Sequence, residues 1–232
     1  DAVGGKGYRQ IDINLGCPFP MIAGKHKGAG MLLYPAQVAE VLAPIAEYPE
    51  IQFSLKRRLG WENASECMVL VELLNALRLS RIALHARTGK QQYKGHPDLE
   101  AFQGFYELCQ HPLYYNGDIE SLSDIRQILT RFPLLKGVFI GRGLLSSPLL
   151  AKEFKGNETF LPEQRMSIYF AFHEELFSAY SQVLQGETQL LVKMKTLWEY
   201  FLPETDRKLL KRIKKSTRLQ QYTESVKAIF TS

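Results

Sequence analysis

Little in this sequence points to a membrane, a metal or a secreted scaffold. No apolar run reaches the ~18–20 residues that span a bilayer as a helix. There are only three cysteines, Cys17, Cys67 and Cys109. They show no metal-ligand spacing, and any disulfide scheme leaves one unpaired. This usage suits a reducing compartment, so a cytoplasmic location without a metal site is expected. The G-x-G-x-x-G fingerprint is absent, which leaves a Rossmann dinucleotide turn unsupported. The opening Asp1–Gly5 has no basic n-region and no apolar h-region, so it does not read as a signal peptide. It has no initiator Met either, and further sequence is expected upstream.

What is present is a mild basic excess, 29 Lys and Arg against 24 Asp and Glu, a net +5. The average says less than the distribution. From Arg207 to Arg218 the chain reads RKLLKRIKKSTR, without an acidic residue. That density fits a nucleic-acid footprint and, equally, a solvated helix face. The apolar fraction of 45% is ordinary and permits a sizeable core.

Five short apolar runs each end in a distinct polar signature. Gln10–Asn14 leads to Gly16-Cys17-Pro18, and Ile51–Leu55 to Lys56-Arg57-Arg58. Arg81–Leu84 ends at His85-Ala86-Arg87, Leu113–Tyr115 at Asn116-Gly117-Asp118, and Lys136–Ile140 at Gly141-Arg142-Gly143. Helical patterns separate them, at Pro35–Glu47, Ala64–Leu79, Asp98–Cys109 and Ser121–Arg131, and Leu144–Glu153 follows as a short helix. This is the signature of repeated βα units on a parallel sheet. After Gly156-Asn157 strands disappear, and helices are predicted at Glu163–Leu184, Thr188–Phe201, Glu204–Lys215 and Thr217–Phe230. The fold class is therefore α/β: a (β/α)8 barrel lacking about its first three strands, residues 1–155, followed by an all-helical domain, residues 156–232. Asp1–Tyr8 reads as the tail of a βα unit.

Polar groups collected at the C-terminal tips of parallel strands are where such barrels keep their chemistry. Cys17 on a Gly-Cys-Pro turn is presented to solvent or a cleft and can donate a proton or attack as thiolate. A turn cysteine can also be purely structural. The following stretch, Gly24 to Gly30, reads as a flexible basic loop over the site. Lys56 either points into the site or sits exposed at a strand tip. His85 is either a satisfied structural histidine or a site residue, with Arg87 on the same side. The glycine turns at Asn116-Gly117-Asp118 and Gly141-Arg142-Gly143 end the last two strands, where barrels bind phosphate with backbone N–H groups.

Taken together, Asn14–Pro18, Lys56–Trp61, His85–Thr88, Asn116–Ile119 and Gly141–Gly143 resemble the tRNA-dihydrouridine synthase family in order and spacing, from about Gln10 to the C-terminus. The resemblance implies an FMN-dependent reduction of the uracil C5–C6 bond in tRNA, with NADPH as reductant. It implies Cys17 as the general acid. Lys56, His85, Asn116, Gly117, Asp118, Gly141 and Arg142 match the cofactor side of the site. Asn14, Arg58 and Arg87 match the substrate side, with His85 also beside the uracil pocket. The helical domain resembles the family's tRNA-binding domain, with Lys211, Arg212, Lys214 and Lys215 on the tRNA and some likeness to the branch acting on position 16 of the D-loop. A monomer with no protein partner and no membrane is expected. Two departures stand out. The family's opening Pro-Met-Ala-Gly strand and glutamine-bearing third strand are missing, so this chain is read as a fragment lacking part of the flavin floor. Gly89-Lys90 also stands where the family often has an arginine. A barrel acting on a free pyrimidine and a non-catalytic RNA-binding remnant are the competing readings.

Overall fold

The computed structural model describes residues 7–231; of the expected βα tail, Asp1–Lys6 lie outside them. The five expected strands are all present: β1 (Gln10–Leu15), β2 (Gln52–Arg58), β3 (Leu79–His85), β4 (Leu113–Asn116) and β5 (Gly137–Phe139). They form one parallel sheet in sequence order. That is the α/β arrangement the βα repeat demands, because parallel neighbours need a crossover between them.

Two compact units divide the chain. The first runs to Ile119 and resumes at Ser123–Ile140; the second takes Glu120–Leu122 and everything from Gly141. The first unit carries α1 (Pro20–Ala23), α2 (Pro35–Leu42), α3 (Glu66–Val69), α4 (Val71–Asn75), α5 (Leu99–Leu108) and most of α6 (Leu122–Arg131). The second carries α7 (Arg142–Ser146), α8 (Leu150–Gly156), α9 (Pro162–Val183), α10 (Glu187–Leu197), α11 (Arg207–Lys215) and α12 (Leu219–Phe230).

Strand alternation sorts the side chains of the sheet. Leu15, Phe53, Leu55, Ile82, Leu84, Leu113 and Tyr115 are buried on one face. Helix residues Val38, Leu42, Leu74, Phe102, Phe105, Ile125 and Ile128 complete that core. The ring of Phe102 meets Tyr115 edge-on at 5.0 Å. The register puts Asn14, Lys56, Ala83 and Tyr114 in one row of the opposite face, and Arg58, His85 and Asn116 in the row nearer the strand ends.

Arg57 shows the alternation at its most severe. It faces the apolar layer and is wholly buried, with its guanidinium 5.3 Å over Phe105. Its Nε donates to the Arg58 carbonyl at 2.9 Å and Nη2 to that of Leu59 at 3.1 Å, while Nη1 has no partner. The polar signature Lys56-Arg57-Arg58 is thus divided between two faces.

Several expected helices are shorter than the periodicity suggested. Pro35–Glu47 is α2 followed by a 3-10 turn at Ala43–Ala46, because Pro44 has no N–H to continue the α-ladder. Ala64–Leu79 resolves into α3 and α4, and Leu79 already belongs to β3. Leu144–Glu153 is split between α7 and α8. Within Gly24–Gly30, Gly24–Lys27 are an exposed turn, while Gly28, Ala29 and Gly30 are buried at the head of a 3-10 helix, Gly28–Leu33.

The helical unit has its own core, built from Tyr169, Leu190, Met194, Trp198, Phe201, Ile213, Tyr222 and Val226. A directed hydrogen-bond chain runs through it. Trp198 Nε1 donates to the Tyr222 hydroxyl at 2.9 Å, and that hydroxyl donates to His173 Nε2 at 2.6 Å. His173 Nδ1 is then left to donate to Glu174 at 3.0 Å. Burial lowers the His173 pKa and keeps the ring neutral.

Candidate functional site

The turn after β1 is fixed at three backbone points. The Asn14 side-chain oxygen accepts from Gly16 N at 2.9 Å, Arg58 Nε donates to the Gly16 carbonyl at 3.1 Å, and Ala29 N donates to the Cys17 carbonyl at 2.9 Å. Gly28, at φ +55°, lies against this turn; a Cβ there would come within 2.7 Å of the Cys17 carbonyl oxygen. Only glycine permits that approach. The Cys17 thiol is half-buried and lies within electrostatic reach of the Arg58 guanidinium.

Lys56 is half-buried on the polar face. Burial, and then the Arg58 charge, lower its pKa, while Asp12 opposes them. The Asp12 carboxylate accepts from the Ser54 hydroxyl one row below. Arg58 is almost wholly buried. Besides Gly16, it donates through Nη1 to the Thr88 carbonyl at 2.8 Å and the Gln92 carbonyl at 2.7 Å, and it lies 5.5 Å over the Tyr93 ring. It ties together the loops after β1 and β3.

His85 is 6% exposed and surrounded by cations. Burial, then Arg58, Lys56 and Arg87, push its pKa down to about 3. The imidazole is therefore neutral. Arg87 Nη1 sits 3.4 Å from Nε2 and can only donate, which leaves the ring proton on Nδ1. Arg87 itself is fully engaged. It pairs with both oxygens of Asp118 and donates to the Lys94 and Gly95 carbonyls. Asn116 shares the row of His85, and its Nδ2 donates to the Phe139 carbonyl at 2.8 Å. Gly117 and Asp118 continue from it in a positive-φ turn.

The loops after β2 and β3 pair backbone to backbone, Gly89 N to the Gly60 carbonyl at 2.8 Å and Lys90 N to that of Trp61 at 2.9 Å. Glu66 receives Trp61 N and Asn63 N. A Cβ on Gly89 would stand 2.1 Å from the Trp61 ring. The residue that departs from the expected arginine is therefore one the indole requires to be small.

The structure thus gathers Asn14, Lys56, Arg58, His85 and Asn116 on one sheet face, with Cys17 beside Arg58. Gly141 and Arg142 belong to the second unit, as the N-cap and first residue of α7. The four basic candidates of that unit are exposed on α11. Lys211, Arg212 and Lys215 line a groove of about 420 Å³ with Lys208, Gln221 and Glu224, and Lys214 lies outside it. Sequence reasoning missed Asp12, Ser54 and Tyr93, and had Lys208 only as part of the basic run. It also missed a reciprocal Thr88/Gln91 box, Gln91 Oε1 accepting from Thr88 N and Thr88 Oγ1 from Gln91 N, although its T-x-x-Q spacing is legible.

No group of three metal-ligating side chains occurs among the described residues, and no described helix is long and apolar enough to cross a membrane. A parallel α/β sheet with cationic and amide groups at its strand ends fits a barrel-type scaffold, a fold that keeps its chemistry at the C-terminal face. The chain belongs to the dihydrouridine synthase (Dus) family, which it matches over residues 2–231. It is similar to a probable tRNA-dihydrouridine synthase of Rhizobium leguminosarum bv. phaseoli, 32% identical over 139 residues, 60% of this chain and 44% of the relative. It is 28% identical over 161 residues to tRNA-dihydrouridine synthase B of Vibrio vulnificus, 68% of this chain and 50% of the relative. A probable tRNA-dihydrouridine synthase of Aquifex aeolicus is 36% identical over 149 residues, 62% and 46%. The chain spans about half the length of the curated relatives it matches.

Proposed function

We propose that this protein reduces a uridine of tRNA to 5,6-dihydrouridine, with FMN as the bound cofactor, NADPH as reductant and Cys17 as the general acid, in the cytoplasm. The observation that carries the reading is the polar row at the strand ends. A desolvated Lys56 ammonium, an Arg58 guanidinium and a neutral His85 share one face beside a fixed cysteine turn.

The residues present fit part of a flavin site. Two cations favour negative charge developing on an electron-rich ring, and His85 Nδ1–H adds a neutral donor. Lys56 and His85 would hold the ring side. Asn116, Gly117 and Asp118 would hold the ribityl and phosphate side. The Asp118 carboxylate is paired with Arg87. When bound, the flavin supplies the hydride for C6 of the uracil. Cys17 then delivers the proton to C5. Its fixed backbone sets where that proton is presented, which is the condition for general-acid catalysis. Asn14, Arg58 and Arg87 shape the base pocket, Arg58 and Arg87 mainly by holding its loops. The target base must leave its stack to reach such a site. Lys211, Arg212, Lys214 and Lys215 would meet the tRNA backbone.

The test is dihydrouridine formation on unmodified tRNA with FMN and NADPH supplied, read by mass spectrometry, for the protein and its Cys17→Ala variant. The expected result is at least a ~100-fold loss of turnover at unchanged tRNA affinity. Equal turnover in the two proteins would remove Cys17 from the chemistry. Faster reduction of free uracil than of tRNA would favour a small-molecule enzyme, and binding without turnover in either protein a non-catalytic remnant.

A further inference from the structure

Four consecutive apolar residues directly after the cysteine turn, Phe19-Pro20-Met21-Ile22, stand in solvent. Phe19 is 64% exposed, Met21 82% and Ile22 39%. An exposed apolar run of that length is unfavourable unless it contacts something. It is also rigid. Pro20 opens the single turn α1, and the Phe19 carbonyl accepts from both Ile22 N and Ala23 N at 2.9 Å. Gly24 N donates to the Pro20 carbonyl at 2.9 Å, and Ala23 is buried beneath the turn. The outcome is a rooted apolar knob beside the candidate acid. Its neighbours are basic: Lys25 and Lys27 are exposed, and His26 is stacked on Tyr34 at 4.2 Å.

The occupant can be argued from this juxtaposition. If Cys17 acts on a base drawn out of an RNA stack, the stack is left with a gap. Proteins that unstack nucleic acid fill such gaps with apolar side chains, and nearby cations take the phosphates. We propose that Phe19 and Met21 form a wedge that enters the RNA stack where the target uridine has been withdrawn, with Lys25 and Lys27 on the flanking phosphates. This rests on the tRNA reading above.

The probes are an RNA hairpin with 2-aminopurine beside a single bulged uridine, and an unstructured single strand of the same composition. The protein is expected to bind the hairpin and raise its fluorescence as stacking is lost. The Phe19→Ala/Met21→Ala variant is expected to lose that rise and bind the hairpin about tenfold more weakly, with single-strand affinity within about twofold. Phe19→Trp should restore both. A double variant that keeps the fluorescence rise and the affinity overturns the wedge. So does a clear drop in its melting temperature, since that would show the patch packed against protein. Failure of the unsubstituted protein to bind either RNA overturns the tRNA reading itself, a different outcome from a variant that binds like its parent.

Discussion

At the scale of single residues, the site is set by how arginine and histidine are satisfied away from water. Arg87 is 1% exposed and delivers its donors to Asp118 and to two loop carbonyls. Removing it leaves a carboxylate and those carbonyls short of partners. Arg87→Met is therefore expected to cost about 3–5 kcal/mol, measured by urea unfolding. His85 acts through its missing charge. Its folded pKa of about 3 lies below the ordinary histidine value near 6.5. Below that ordinary value the unfolded chain takes up a proton that the folded chain refuses. The contribution of His85 to stability is thus complete above about pH 6.5 and declines as the pH falls toward 3, by up to about 1.4 kcal/mol per unit. His85→Gln is expected to flatten the stability profile between pH 6 and 4; an unchanged slope would mean the ring is protonated when folded. His85 itself was legible in the sequence as a strand-end residue. Its neutrality was not, since it depends first on burial and then on three cations from β2 and the loop after β3.

At the scale of elements, turns and breaks matter more than the helices they join. Strand positions were readable because alternation on a sheet with one apolar face is a local property. Helix lengths were less so. Pro44 was visible, yet the periodic pattern ran through it, and the α3/α4 break has no breaker residue in Glu66–Asn75. The loops after β2 and β3 depend on an exact fit of Gly89 under Trp61. Gly89→Ala forces the indole out of place and is expected to destabilise the first unit by about 1–3 kcal/mol, read as a lower denaturant midpoint. Indifference to this change would show that Trp61 can move freely. In the second unit, Asp206 caps α11 by accepting from Lys208 N and Leu209 N, at 2.8 and 3.2 Å. Lys195 Nζ donates to the Ser216 carbonyl beyond its other end at 2.9 Å. A helix of like charges is therefore held at both ends by groups of the sign its dipole favours.

At the scale of the whole molecule, the second unit carries a concentrated basic surface. The groove lined by Lys208, Lys211, Arg212 and Lys215 concentrates positive potential on α11. If it meets an RNA backbone, Lys211→Gln/Lys215→Gln should weaken tRNA binding and reduce the slope of log affinity against log salt by about 1–2. Lys90→Gln, whose ammonium pairs with Glu62, should leave the slope unchanged. Equal slopes in all three proteins would remove α11 from the interface. The sequence by itself determined the order of strands, the helical second half, the basic run and the strand-end residues. Each of these is a local pattern, set by backbone geometry and by which side chains prefer water. Only the tertiary structure decided that Arg57 is wholly buried over Phe105, that Arg58 and Arg87 hold loops together, that Gly28–Gly30 is buried, and that Phe19 and Met21 are left in solvent. Those outcomes depend on partners far apart in the chain, and no spacing records whether a long polar side chain will find its acceptors at home or across the sheet.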